Sequence, residues 1–250
     1  NLNSSLQENF LSLIETLKIN SQKAIIQNSS PTYIFNLLQS RIYDKSELHK
    51  EGKIMSDSEL ANMLAFLLIK NHTCTILDPC SGDSAFLDSA YDRISILANA
   101  SKVKFKHNDL LNQLHGIEID PFLAQMGAFR MISKNLLDVS TSTEIDIKRS
   151  DMFDIIENDK YDVILMNPPF LRNESLSASR KTKMNAAIPK VQTHFFKTAR
   201  QPNLYYYFLN YSWHFLKKDG RAGVLLMEKF LNNQDGQYLK DKAMKVENLL

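Results

Sequence analysis

Apolar residues recur along this chain at two spacings, and the change between them predicts its architecture. Leu6, Phe10, Leu13, Ile14 and Leu17 stand at helical spacing and predict an amphipathic helix over residues 3–19. Pro31 suits the first turn of a second helix, with Ile34, Leu37 and Leu38 on its buried face. Residues 1–50 therefore read as a helical segment. Ser56-Asp57-Ser58-Glu59 forms a capping-box pattern, in which Ser56 accepts from the Glu59 amide and Glu59 reaches back. The helix that it opens is expected to bury Leu60, Met63, Leu64, Leu67 and Leu68. From there short apolar runs alternate with helical stretches. Strands are predicted over residues 73–77, 114–119, 144–148, 161–166 and 222–227, with helices over 84–99, 121–135 and 204–216. That alternation predicts an α/β fold with a doubly wound, mostly parallel sheet. Ligands of such sheets sit at the carboxyl ends of the strands, near the point where the strand order reverses.

Composition leaves this picture unchanged. An apolar content of 44% and a charged content of 23% are ordinary for a globular protein. The 250 residues suffice for one large α/β domain, read as 51–250, plus the helical segment. No apolar run approaches the roughly 18 residues of a membrane span, and no signal peptide heads the chain. It does not open on Met, which reads as a trimmed sequence. Cys74 and Cys80 are too few for a disulfide scaffold, so a reduced, cytoplasmic setting is expected. No Cys/His group has metal-ligand spacing, so no metal is expected.

Charge adds one asymmetry. The net charge is +2, yet residues 171–200 carry Arg172, Arg180, Lys181, Lys183, Lys190, Lys197 and Arg200 against the single acid Glu174. A basic stretch here could meet phosphates, with Arg172, Arg180, Lys181, Lys183 and Lys190 as candidates. The small polar residues 175–179 equally suit a solvated loop.

The candidate chemistry lies at strand ends. Asn167-Pro168-Pro169-Phe170 follows the apolar run Tyr161–Met166. Two prolines must end the strand, because neither can donate to a sheet ladder. An amide and a proline carbonyl are left as acceptors for an exocyclic amine. The ring of Phe170 can stack on a flat heterocycle, worth about 1–3 kcal/mol per base. A Pro-terminated strand with a structural Asn would look the same. Asp78-Pro79-Cys80-Ser81-Gly82-Asp83-Ser84 links the first core strand to its helix, and Gly82 permits close backbone approach. A plain strand–turn–helix would also look like this. Gly116-Ile117-Glu118-Ile119-Asp120-Pro121 places Glu118 where a carboxylate can take both ribose hydroxyls, and Asp120 where it can cap a helix. Asp151, followed by Met152 and Phe153, could accept from an adenine amine, or simply close a turn.

Taken in order, Ser56, the Asp78 loop, Glu118, Asp151 and Asn167-Pro168-Pro169-Phe170 resemble the adenine-N6 DNA methyltransferases of restriction–modification systems. The resemblance covers about residues 50–245. It continues through Asn203-Leu204-Tyr205-Tyr206-Tyr207-Phe208 and the segment leading to Val224. It implies a Rossmann-like class I methyltransferase core using S-adenosylmethionine. Ser56, Asp78, Cys80, Gly82, Glu118, Asp151 and Met152 would bind that cofactor. Ser56 would meet its methionine end, Asp78 its amino group, Glu118 its ribose and Asp151 its adenine amine. Asn167, Pro168, Pro169 and Phe170 would hold an adenine flipped out of double-stranded DNA, because N6 is unreachable while stacked and paired. A specificity or nuclease subunit or domain is the further partner implied.

The chain departs from the family at three places. Ser84 stands where a second glycine is usual, and its side chain would lean toward the cofactor. Ser56-Asp57 replaces Thr-Pro, and Met227-Glu228 replaces a proline. The chain stops where the family's next strand would begin, so the core reads as incomplete at its C-terminus. The same Asn-Pro-Pro device also serves methyltransferases of ribosomal RNA guanine and of protein glutamine. A non-catalytic scaffold subunit of a restriction complex is the remaining alternative.

Overall fold

A computed structural model describes residues 58–138, 143–156, 159–188 and 203–226. Ser56, Lys190, the 1–50 helices and Met227-Glu228 lie outside the described residues. Helix α1 (Ser58–Leu68) leads into strand β1 (Ile76–Asp78), followed by α2 (Ala85–Ala100) and the short α3 (His107–Leu111). Strand β2 (Leu114–Glu118), α4 (Pro121–Ile132) and β3 (Asp146–Arg149) complete the first half. Then come β4 (Tyr161–Met166), α5 (Ala178–Ala187), α6 (Leu204–Ser212) and β5 (Leu216–Val224).

All neighbouring strands are parallel, in the order β3-β2-β1-β4-β5. The expected doubly wound α/β sheet is therefore present. The order reverses between β1 and β4, which opens a crevice at their carboxyl ends. Asp78 ends β1, and Asn167 immediately follows β4.

Strand alternation divides the core into two layers. Ile76, Val163 and Leu165 join Ala61, Ala65, Phe86, Leu87 and Ile94 on one face. Leu77, Ile117 and Ile164 join Phe153, Met184, Tyr207 and Tyr211 on the other. Every residue of α6 is buried: Tyr207, Phe208 and Tyr211 fill the second layer, while Tyr205, Tyr206 and Leu209 pack with Met166 in a third cluster.

The structure corrects several expectations. Helix α1 buries Ala61 and Ala65, while Leu60, Met63 and Leu67 are exposed. Gly223 of β5 lets this helix pack closely, since a Cβ there would meet Leu68 at 2.4 Å. Strand β5 begins six residues earlier than its apolar end indicates, because Lys217, Lys218 and Asp219 are exposed on it. Helix α4 stops at Ile132 and passes into a 3-10 turn over Ser133–Asp138. The basic segment contains α5, capped by the Ser177 hydroxyl, which accepts from the Arg180 amide at 3.2 Å. No helix among the described residues is long and apolar enough to cross a membrane.

Candidate active site

The β1–α2 loop folds over β2 through backbone contacts. The Ser81 amide donates to the Ile117 carbonyl at 3.0 Å, and Gly82, at φ +50°, turns its amide to Glu118 Oε2 at 2.8 Å. Glu118 Oε1 accepts from the Asp120 amide at 2.7 Å. Two backbone donors thus orient the Glu118 carboxylate within the crevice. Each carboxylate oxygen can accept two hydrogen bonds, so these contacts do not by themselves exhaust it. Asp120 caps α4, accepting from the Phe122 and Leu123 amides at 2.9 and 3.2 Å.

Asp78 is buried beneath this loop and accepts from the Cys80 amide at 3.1 Å. Burial is the main force that raises its pKa to about 8; the nearby Glu118 and Asp83 charges add to it, against the pull of the Cys80 amide. Burial, with the Asp78 and Glu118 charges, also pushes the Cys80 thiol well above its usual range. That thiol reaches across to β4, with its sulfur 3.5 Å from the Asn167 carbonyl oxygen. Asp83 is clamped from α4, where Arg130 donates to its carbonyl at 3.2 Å and its carboxylate at 3.0 Å.

Ser84 does not lean toward the crevice, contrary to expectation. It holds a left-handed conformation at φ 66° and is fully buried. Its side chain packs on α4 at Gly127, where an added Cβ would meet Ser84 Oγ at 2.3 Å. Gly127 therefore supplies on α4 the room that the missing loop glycine would have given.

Asp78, Cys80, Gly82, Glu118, Asp151, Met152, Asn167 and Pro169 line one cavity of about 570 Å³ along the carboxyl ends of the strands. Pro168 is buried behind them, and Phe170 packs beside Tyr205, with ring centroids 6.2 Å apart. Leu171 also lines the cavity, and its carbonyl accepts from the Leu204 amide at 3.0 Å, which pins the loop to α6. Further cavity residues are not singled out as site residues by sequence, among them Leu123 on α4, Ser175, Leu176 and Ser177 before α5, and Leu204 and Phe208 on α6. Their apolar or small side chains carry no chemical signal; only the fold brings them to the crevice.

The basic candidates are divided. Arg172 is exposed and Lys181 half-buried. Arg180 forms a two-pronged ion pair with Asp151, and Lys183 reaches Asp151 at 2.8 Å and Asp154 at 2.6 Å. These two side chains face acids at the end of β3, which sets them apart from a loop turned wholly to solvent. Among the described residues, no group of three or more His, Cys, Asp or Glu could hold a metal ion.

No curated protein matches the chain. Solved structures do. The cryo-EM structure of the DrdV–DNA complex aligns with a TM-score of 0.65 at 15% identity, over 96% of this chain and 27% of that one. A Listeria monocytogenes protein assigned to the class I S-adenosylmethionine-dependent methyltransferases aligns at 0.57 and 14% identity, over 88% and 61%. The methyltransferase subunit of a type I restriction–modification system from Streptococcus thermophilus aligns at 0.52 and 19% identity, over 75% and 37%. The chain thus spans only part of each of these proteins, and at such identities they establish its fold as that of class I methyltransferases. The Eco57I restriction-modification methylase model matches residues 112–248, more than half of the 250 residues. With its sheet order and its cavity at the switch point, the chain belongs to the Eco57I restriction-modification methylase family.

Proposed function

We propose that this protein transfers the methyl group of S-adenosylmethionine to the N6 amine of adenine in DNA, as the modification activity of a restriction–modification system. The observation that carries the reading is one continuous cavity joining Asp78 and Glu118 to Asn167 across the switch point. The residues present suit the cofactor. Gly82 lines the cavity, and a Cβ built on it meets nothing within 4 Å, so its backbone opens onto space that a ligand can fill. Glu118 would take the ribose and Asp78 the amino group of the methionine end. When bound, S-adenosylmethionine supplies an electrophilic methyl group on a sulfonium.

On the other side of the switch point, Asn167 and the Pro168 carbonyl would accept from the target amine, and Phe170 would stack on the flipped base. Pro168 and Pro169 hold this segment off the sheet, because neither can donate to a ladder. No strong base is required before attack. Acceleration comes from polarising hydrogen bonds and near-attack placement, and placement alone can contribute about 7–11 kcal/mol. Arg172 and Lys181 are the described cations proposed to meet DNA phosphates.

The experiment is calorimetric titration with S-adenosylmethionine, followed by transfer onto duplex DNA and nucleoside analysis. Micromolar binding and N6-methyladenine are expected. Binding with methylation of RNA, protein or another base would replace the substrate assignment, and no binding at all would overturn the whole reading.

Asp78 gives the site a pH signature of two opposite signs. Its folded pKa of about 8 lies above the ordinary 3.8, so the folded chain holds a proton that the unfolded chain releases. Stability of the ligand-free protein should therefore fall as pH rises from about 4 to about 8. A cationic amine prefers ionised Asp78, so cofactor affinity should rise from pH 6 to 8, by up to about tenfold per unit. Calorimetry across this range checks both trends, and Asp78→Asn should flatten them.

A further inference from the structure

We propose that the outer face of α1 is a docking surface for residues 1–50 of this same chain, which cover an apolar stripe that the described residues leave open.

Helix α1 is apolar on both sides. Its inner side rests on the sheet, with Ala61 and Ala65 buried and Leu64 and Leu68 packed toward Gly223 of β5. Its outer side carries Leu60, Met63 and Leu67, at the i, i+3, i+7 spacing of one helical stripe. These three are 41%, 48% and 39% exposed, and Phe66 on the same helix is 59% exposed. Glu59 is the only charged residue of α1. A helix that is apolar all round is one that is buried all round. A row of large apolar side chains left in solvent marks an interaction surface.

The surface is also fixed. Arg93 of α2 sits over the Phe66 ring, 4.5 Å from its centroid, and donates through Nε to the Ile69 carbonyl at 3.2 Å. The cation covers one face of the ring and ties the end of α1 to α2. Ile96, one helical turn beyond Arg93, is exposed as well.

Three observations select the occupant. The described residues begin at Ser58, the first residue of α1, so the preceding chain is joined directly to the helix that lacks cover. Residues 51–57 can reach about 23 Å when extended, whereas the 11 residues of α1 rise only about 16 Å. A segment ending at residue 50 can therefore lie along the whole stripe. Second, that segment carries the matching pattern: Leu6, Phe10, Leu13, Ile14 and Leu17, then Ile34, Leu37 and Leu38. An amphipathic helix needs an apolar surface for such a stripe. Third, residues 1–50 carry five Lys or Arg against four acids, so neither surface is fitted to a polyanion and the contact is apolar. A short tether gives an effective concentration of about 1 mM, which favours this segment over a second copy at micromolar concentration. Docking also fixes both ends of the stretch 51–57, which carries Ser56.

The test is photo-crosslinking of the 250-residue chain with Met63 replaced by benzoylphenylalanine, beside a control with Phe129 of α4 replaced in the same way. Both positions are about half exposed, at 48% and 47%. From position 63, crosslinks into residues 1–50 of the same chain are expected, at least about tenfold more abundant than from position 129. Met63→Lys combined with Leu67→Lys alters only exposed positions. It should speed amide exchange within residues 1–50 by at least about tenfold while leaving α2 and β1 unchanged. Crosslinks between chains would give the face to a second copy and overturn this inference. Equal yields from both positions, capture of solvent or of residues 58–250 alone, or unchanged exchange in residues 1–50 would overturn it as well. If the double variant unfolds, the crosslinking result decides alone.

Discussion

Replacing Asn167 with alanine should lower methyl transfer at least about a hundredfold while changing cofactor affinity by less than about twofold. The side chain stands just after β4, across the switch point from Asp78 and Glu118. Its proposed partner is the target amine, so its loss should be felt where that amine is aligned for attack. The substitution leaves the Asn167 carbonyl in place, so the 3.5 Å contact from Cys80 and the loop course are preserved. Single-turnover transfer measured beside calorimetric affinity separates the two quantities. Equal losses in both would remove Asn167 from its role and make it a structural support of the cavity wall.

The second large effect concerns the fit of the Gly82 loop on α4. Gly127→Ala should destabilise the protein by about 1–3 kcal/mol, the usual cost of overpacking a core. The new Cβ would lie 2.3 Å from Ser84 Oγ, 3.2 Å from Ser84 Cβ and 3.3 Å from the Gly82 carbonyl. Beyond a turn of the Ser84 hydroxyl, relief of the 3.2 and 3.3 Å contacts would shift the backbone that presents Gly82 to Glu118, so cofactor affinity should fall together with stability. Ser84→Gly removes the clashing side chain and the left-handed strain at φ 66°, and should stabilise the parent by up to about 1 kcal/mol. Combined, the two substitutions should lie near the parent in urea midpoint. Strict additivity in this double-mutant cycle would show that Ser84 and Gly127 do not meet.

The sequence was informative where local chemistry and fold agree. Alternating apolar runs located β1 to β4, and Asp120 before Pro121 announced the start of α4. Asn167, Glu118 and Asp78 were placed at strand ends by sequence alone, and the fold gathers all three around one cavity. Long-range pairings were not legible. Nothing in the run from Ser175 to Lys183 signals that Arg180 and Lys183 meet Asp151, 29 residues away from Arg180. Ser84 read as a cofactor neighbour because its partner, Gly127, lies on a different helix. The start of β5 was hidden because exposed lysines on a strand show no apolar alternation.

The central position of β1 has a consequence for folding. Thr75, just before that strand, donates through its amide and its hydroxyl to Asp162 Oδ2, each at 2.8 Å and across 87 residues of chain. The first three strands can pair from nearer segments, whereas β4 must arrive from far along the sequence before β1 has both neighbours. Such non-local parallel pairing is slow, because loop closure precedes the contacts that reward it. Until β4 docks, Asp78 and Glu118 stand at the end of a half-built sheet with an open edge, and Asn167 is elsewhere. The docking of β4 onto β1 is therefore also the step that creates the site.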